Sequence, residues 1–239
     1  MQSEFDGLRK VRSALSFLVV SQVLLEAGAL FLLLFALFIH TKSLMYQSLI
    51  YSLAGTLVIL IAFVLYFLSL AKFRSGFKLL RNFYKYLGIG YLGVNVIIIG
   101  YVLLFLVIFY DIYTVISFAS KTYVMSTPEI QPVFPLTFYL INISVSLVPG
   151  LGNMLMMLGI YRIGNIYNEI NVRVGGMLII VGFILSIVEI PIEIYGYLIA
   201  HSIIFPTIII AVSLSVINSV LFFIGAYFAY QGLSKILQK

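Results

Sequence analysis

Three acidic residues inside long apolar runs are the ones whose type and position could support chemistry. Glu26 lies midway along the first run, and Glu189 and Glu193 lie in the outer half of the fifth, on either side of Pro191. An ionised carboxylate in the middle of a membrane costs about 3 kcal/mol or more, so each one is a candidate functional group. Spacing of four places Glu189 and Glu193 on one helix face, and we expect at least one of them to be neutral.

These carboxylates predict a proton-binding or cation-binding site. The predicted members, with two amides that could assist, are Glu26, Glu189, Glu193, Asn95 and Asn218. Two other interpretations remain open. Glu189 and Glu193 would be hydrated surface carboxylates if they lie nearer the outer interface, and Glu26 would be a protonated acid hydrogen-bonded between helices.

The elements that must position these groups are membrane-spanning helices. Hydrophobic residues make up 63% of the 239 residues and charged residues 9%, which is too little polar surface for a water-soluble globule of this size. A spanning helix needs about 20 apolar residues. The sequence predicts an all-α, polytopic membrane protein with one domain over 1–239 and about six transmembrane helices, at 13–39, 48–71, 87–118, 135–161, 174–200 and 207–230.

Basic residues give this topology a direction. If both termini are cytoplasmic, all but two of the 14 Lys and Arg residues fall on the cytoplasmic side, and the exceptions are Lys42 and Lys121. Cytoplasmic connections are enriched in Lys and Arg, so the asymmetry predicts this orientation. We expect a multi-pass protein of the plasma membrane.

Two connections carry further signals. The segment 72–86 alternates basic and apolar residues at spacings of three and four, which fits either an amphipathic helix on the cytoplasmic leaflet or a projecting extension of the second helix. Its basic residues are expected to contact lipid headgroups: Lys72, Arg74, Lys78, Arg81 and Lys85. The segment 119–134 is expected to be a proline-rich external loop.

Several functions are not indicated. The chain has no cysteine, and His40 and His201 lack the spacing of a metal pair, so we expect neither a metal site nor a cofactor. Basic residues beside apolar spans favour lipid over nucleic acid as a partner. The glycines at 88, 90 and 93 match the spacing of a dinucleotide-binding fingerprint, but no strand precedes them as that motif requires. We expect these glycines, and those of the fourth and fifth spans, to allow close helix packing instead. The many Tyr and Phe residues are expected to form interface belts and packing contacts.

The stretches Phe73–Leu80 and Tyr84–Gly93 resemble a family of multi-pass membrane proteins from thermoacidophilic archaea that is known only as a domain of unknown function. Overall length and hydropathy are similar as well. The resemblance implies an archaeal plasma membrane and supplies no activity.

Two functional hypotheses follow. The first is a membrane protein without catalysis, an accessory or assembly-forming subunit that packs laterally against membrane lipids and against other membrane proteins or itself, because small-residue stripes and aromatic faces suit such contacts. The alternative is a small transporter or channel that uses the intramembrane carboxylates for protons or cations.

Overall fold

The structure, a computed structural model, describes residues 2–38, 45–122, 136–199 and 204–238, and it is all-α. The six helices of the described ranges are α1 Gln2–Phe38, α2 Met45–Leu80, α3 Gly88–Thr122, α4 Leu136–Ile166, α5 Ile170–Ile199 and α6 Ile204–Ile236. A 3-10 turn, Lys85–Leu87, precedes α3. The external loop predicted at 119–134 falls largely outside the described ranges, as do His40 and His201.

The helices are longer than a bilayer is thick. At a rise of 1.5 Å per residue they measure about 45–55 Å, against a hydrocarbon core of about 30 Å. Five of them are long and apolar enough in their described parts to cross a membrane, and in α5 the shorter apolar stretch Ile170–Leu185 was found. Large apolar side chains such as Leu53 and Phe109 are exposed along these helices, as lipid contact requires. The protein is therefore built as a membrane protein.

Consecutive helices run antiparallel and form three hairpins, α1–α2, α3–α4 and α5–α6. In the first hairpin, small residues recur every seven positions on both helices and meet in one antiparallel register. The contacts are Gly7 with Gly76, Ala14 with Ser69, and Gly28 with Gly55. Ser21 and Ala62, at the step between the last two contacts, are buried. The Ser69 hydroxyl donates to the Ala14 carbonyl at 2.9 Å. Small residues let the two backbones approach closely. Close approach increases the van der Waals contact that helps to drive helix association in lipid.

The other two hairpins also close on glycine. Gly93 of α3 lies against the backbone of α4 at Gly152, and Gly175 of α5 lies against α6 at Gly225. The predicted close packing is confirmed at Gly93, Gly152 and Gly175, whereas Gly88 faces open space and Gly150 makes only an ordinary contact with Ile187. Helix α4 stays continuous through Pro149.

The core is concentrated at one end of the bundle. We call this the basic end; there α1, α3 and α5 begin and α2, α4 and α6 end. The largest fully buried side chains among the described residues belong to this half; they include Leu8, Leu15, Leu70, Phe73, Phe77, Leu80, Leu87, Ile97, Met156, Met157, Ile160 and Ile163. Residues 72–80 are the last turns of α2, and the side chains of Phe73, Phe77 and Leu80 are buried in this core.

A tight turn connects α4 to α5 at the basic end. Asn168 adopts a positive φ of 50°, a conformation that asparagine tolerates better than most residues. The amide of Glu169 then donates to the carbonyl of Gly164 at 2.9 Å, which satisfies a free carbonyl at the end of α4. This turn brings Tyr167 and Arg173 to the basic end.

Candidate functional sites within the membrane and at the basic end

Glu26 lies on the exposed surface of α1, where α1 meets α6. Gln22, one turn earlier, donates its side-chain amide to Oε1 at 3.0 Å, and the Ser219 hydroxyl of α6 donates to the same oxygen at 3.0 Å. Both donors are neutral. The structure thus places the carboxyl group of Glu26 on a lipid-facing helix. It accepts hydrogen bonds from neutral side chains and has no positively charged partner among the described residues.

Asn218 continues this polar contact from α6 towards α5. Its Oδ1 lies 2.6 Å from the position that a β-carbon on Gly182 would occupy, so the amide packs directly on the α5 backbone. Helix α5 continues unbroken through Pro191 and carries Glu189 and Glu193, whose side chains lie outside the described part. Of the predicted site residues, Glu26 and Asn218 are thus placed on adjoining helices at one seam.

Asn95 lies elsewhere. Its Oδ1 accepts a hydrogen bond of 3.0 Å from the Arg74 Nε at the basic end. Arg74 is level with the first turns of α1, so Glu26 lies about 25 Å further along the bundle, from the 1.5 Å rise per residue. The structure does not bring Asn95 together with Glu26.

The basic residues predicted to meet lipid headgroups all lie at the basic end, in several environments. Lys72 donates to the Ser13 hydroxyl at 2.7 Å and lies 4.1 Å from the centroid of the Phe17 ring, so α1 holds it in place. Lys78 and Lys85 are exposed.

Arg74 and Arg81 converge on one aromatic ring. The Arg81 guanidinium lies 4.4 Å from the Tyr91 ring centroid and the Arg74 guanidinium 5.7 Å from it. Arg74 also donates to the Tyr91 hydroxyl at 3.5 Å.

Sequence reasoning missed a carboxylate cluster at the basic end. The hydroxyls of Tyr84 and Tyr167 both donate to Oε1 of Glu4, at 2.9 and 2.5 Å, and the two rings meet edge to face. These bonds connect the start of α1 to the α2–α3 connection and to the α4–α5 turn. The tyrosines are 80 and 163 residues from Glu4, so no local pattern could have indicated the cluster.

Both tyrosines are held in the protonated form. The hydrogen bond to Glu4, followed by burial, raises the pKa of Tyr84 above its ordinary value. Burial, followed by the hydrogen bond to Glu4, raises the pKa of Tyr167 well above its ordinary value. A tyrosinate beside a carboxylate would lose the donated hydrogen and gain repulsion. The cluster therefore acts as a structural tie between three segments.

An open, shallow pocket of about 370 Å³ lies beside the start of α5, lined by Tyr161, Ile170, Arg173, Val174, Met177 and Leu178. The Arg173 guanidinium donates to Asn168 Oδ1 at 3.4 Å, while its buried Nε has no hydrogen-bond partner. Among the residues that the structure describes, no group of three His, Asp or Glu side chains could hold a metal ion.

No curated protein and no solved structure matches the chain at a significant level. One family model does match, over residues 4–239, and its description reads "Protein of unknown function (DUF973)". Because the match covers nearly the whole chain, the protein belongs to this family of unknown function.

Proposed function

We propose that the protein is a non-enzymatic membrane subunit that assembles laterally, with copies of itself or with other membrane proteins, through the face of α1 that carries Glu26. The observation that supports this proposal is the exposure of Glu26 in a span, at a place where both hydrogen-bond donors are neutral.

Lipid cannot satisfy a carboxyl group, whereas a neighbouring helix can. Polar side chains on lipid-facing helices promote helix association. A polar group that is exposed to hydrocarbon is disfavoured, and a hydrogen bond to a neighbouring helix removes that exposure. On the same helix, the apolar side chains of Val23 and Leu30 are about half exposed. A helix that packs here and offers a donor would satisfy the carboxyl group and cover these side chains.

The proposal includes no catalytic step. Gln22 and Ser219 donate to the same oxygen of Glu26, an arrangement that orients the carboxyl group as an acceptor.

Photo-crosslinking in native membranes tests the proposal. A photoreactive amino acid replaces Leu30, one turn from Glu26 and 58% exposed, and a control chain carries it at Leu53 on α2, 74% exposed. We expect protein adducts from position 30, and we expect Glu26→Leu to remove most of them. Thr56→Val is the matched control, because the exposed Thr56 hydroxyl already donates to the Ser52 carbonyl of its own helix. Lipid adducts alone at position 30, or adducts unchanged by Glu26→Leu, would contradict the proposal.

A proton or cation pathway is the second candidate function. The contacts from Glu26 through Ser219 and Asn218 to Gly182 join α1, α6 and α5, and α5 carries Glu189 and Glu193. Purified protein in liposomes with a pH-sensitive dye distinguishes the two functions. Flux that Glu189→Gln abolishes and Glu169→Gln preserves would favour transport, and no flux under any imposed gradient would favour assembly.

A further inference from the structure

Two positive charges share one aromatic ring where α2 meets α3. The guanidinium of Arg81 stacks 4.4 Å from the Tyr91 ring centroid, and that of Arg74 lies 5.7 Å from the same centroid. The two cations are therefore at most about 10 Å apart, since each lies within 6 Å of the same ring centroid.

The partners of these two arginines are neutral. Arg74 donates to the amide oxygen of Asn95 and to the Tyr91 hydroxyl, and neither arginine forms an ion pair with a described residue. Two like charges around one ring repel each other. An anion that accepts N–H groups from both arginines would offset this repulsion.

Asn95 binds only the Nε of Arg74, and the Tyr91 hydroxyl accepts from one terminal nitrogen, so other terminal N–H groups remain available. Asn95 accepts the hydrogen of Nε at 3.0 Å, which fixes the plane of the group. The terminal N–H groups of an arginine match the oxygens of a phosphate in pairs. Such an arrangement suits a phosphate oxygen better than it suits a metal or a neutral ligand.

An apolar aromatic surface continues from the two arginines towards the middle of the bundle. Phe67 lies two turns before Arg74 on the same face of α2, is 46% exposed, and packs on Tyr101 of α3 with ring centroids 5.7 Å apart. A ligand that reaches from Arg74 to Phe67 must be charged at one end and apolar at the other.

We infer that Arg74, Arg81, Tyr91 and Asn95 form a binding site for the phosphate group of an anionic membrane lipid, whose acyl chain lies along Phe67 and Tyr101. The two arginines bind the phosphate oxygens, Tyr91 and Asn95 orient the arginines, and the aromatic surface receives the chain. The site lies on the α2–α3 face and does not depend on the Glu26 face of α1.

Native mass spectrometry of the full chain in detergent tests the site. The protein is titrated with phosphatidylglycerol, with phosphatidylcholine and with inorganic phosphate. We expect one phosphatidylglycerol to bind about tenfold more tightly than phosphatidylcholine, because only the former carries a net negative charge for the arginines. Arg74→Gln with Arg81→Gln should abolish this preference. Lys10→Gln with Lys235→Gln removes the same charge from exposed positions at the same end, and it should leave the preference intact.

Two further measurements keep the outcome decisive. Asn95→Leu retains both charges and should still weaken phosphatidylglycerol binding about threefold, since Arg74 loses its orienting acceptor. Inorganic phosphate should not compete at millimolar concentration. Equal losses in the two double variants would show general charge attraction and overturn the site, and effective competition by phosphate would overturn the assignment to a lipid.

Discussion

Gly150 and Gly152 lie two residues apart in α4, yet an added methyl group should affect stability in opposite directions at the two positions. A β-carbon on Gly152 would lie 2.7 Å from the Ile97 backbone nitrogen and 2.9 Å from the Gly93 carbonyl oxygen of α3. On Gly150 the nearest atom would be Ile187 Cγ1 at 3.6 Å, an ordinary contact. Gly152→Ala should therefore destabilise the protein, and Gly150→Ala should not.

The magnitude follows from these distances. To restore an ordinary contact of 3.4 Å, α3 and α4 must separate by about 0.7 Å at Gly152, and a gap of that size forfeits roughly a quarter to a half of each neighbouring dispersion contact. Overpacking of this kind costs about 1–3 kcal/mol. Alanine also favours the helix over glycine by up to about 1 kcal/mol at both positions. We expect the two variants to differ by about 2 kcal/mol, or roughly 30-fold in the unfolding equilibrium.

Equilibrium unfolding in mixed micelles, with an increasing fraction of dodecyl sulfate, measures this difference. The chain has no tryptophan, so far-UV circular dichroism is the appropriate signal. Gly88→Ala, where nothing lies within 4 Å, provides a second control at the start of α3. If Gly150→Ala destabilises the protein as much as Gly152→Ala, the close approach of α3 and α4 at Gly152 is wrong.

Two other predictions concern the basic end. Phe77→Ala should lower the free energy of unfolding by about 3–5 kcal/mol because Phe77 is fully buried, whereas Phe83→Ala, at a side chain that is 44% exposed, should lower it by less than about 1 kcal/mol in the same assay. The pKa values of Tyr84 and Tyr167 are raised in the folded protein, so the stability that their hydroxyls contribute is fully present below the unfolded value of 10.0 and is lost as the pH rises above it. The difference in unfolding free energy between the wild type and the Tyr84→Phe, Tyr167→Phe double variant should be constant between about pH 6 and about pH 9 and should shrink above about pH 10; a difference that grows above pH 10 would contradict the tie to Glu4.

The sequence predicted the helices better than it predicted their contacts. Long apolar runs were enough to locate the helices, because the bilayer requires every backbone polar group to be satisfied within its own segment. The end of α2 was left open between two interpretations, since the spacing of Phe73, Phe77 and Leu80 indicates an apolar face without indicating what covers it. The structure answers that question, because these side chains are buried in the core at the basic end.

Sites formed across helices were less predictable than the helices themselves. Glu26 was a candidate because a carboxylate is rare in a span, but its contact with Ser219 depends on how α1 crosses α6. The sequence prediction grouped Asn95 with Glu26. In the structure Asn95 contacts Arg74 instead. Nothing in the sequence indicated the Glu4 cluster. Its members come from three distant segments, and each of them, taken alone, resembles an ordinary membrane-interface residue.

Among the described residues the large buried side chains gather at the basic end, and this distribution has one physical origin. The helices exceed the hydrocarbon thickness by about 15–25 Å, and Arg9, Lys10 and Arg12 limit how far the hydrocarbon can extend over the start of α1. The basic end therefore lies largely in water and headgroups, where burial of apolar surface drives packing. In the other half lipid removes that driving force; there Gly28 and Gly55 let α1 and α2 approach closely, while large side chains such as Leu30 of α1 and Val216 of α6 remain exposed. The Ser219–Glu26 hydrogen bond joins α1 to α6 in this half, so loss of Glu26 should loosen this seam while the core at the basic end stays intact.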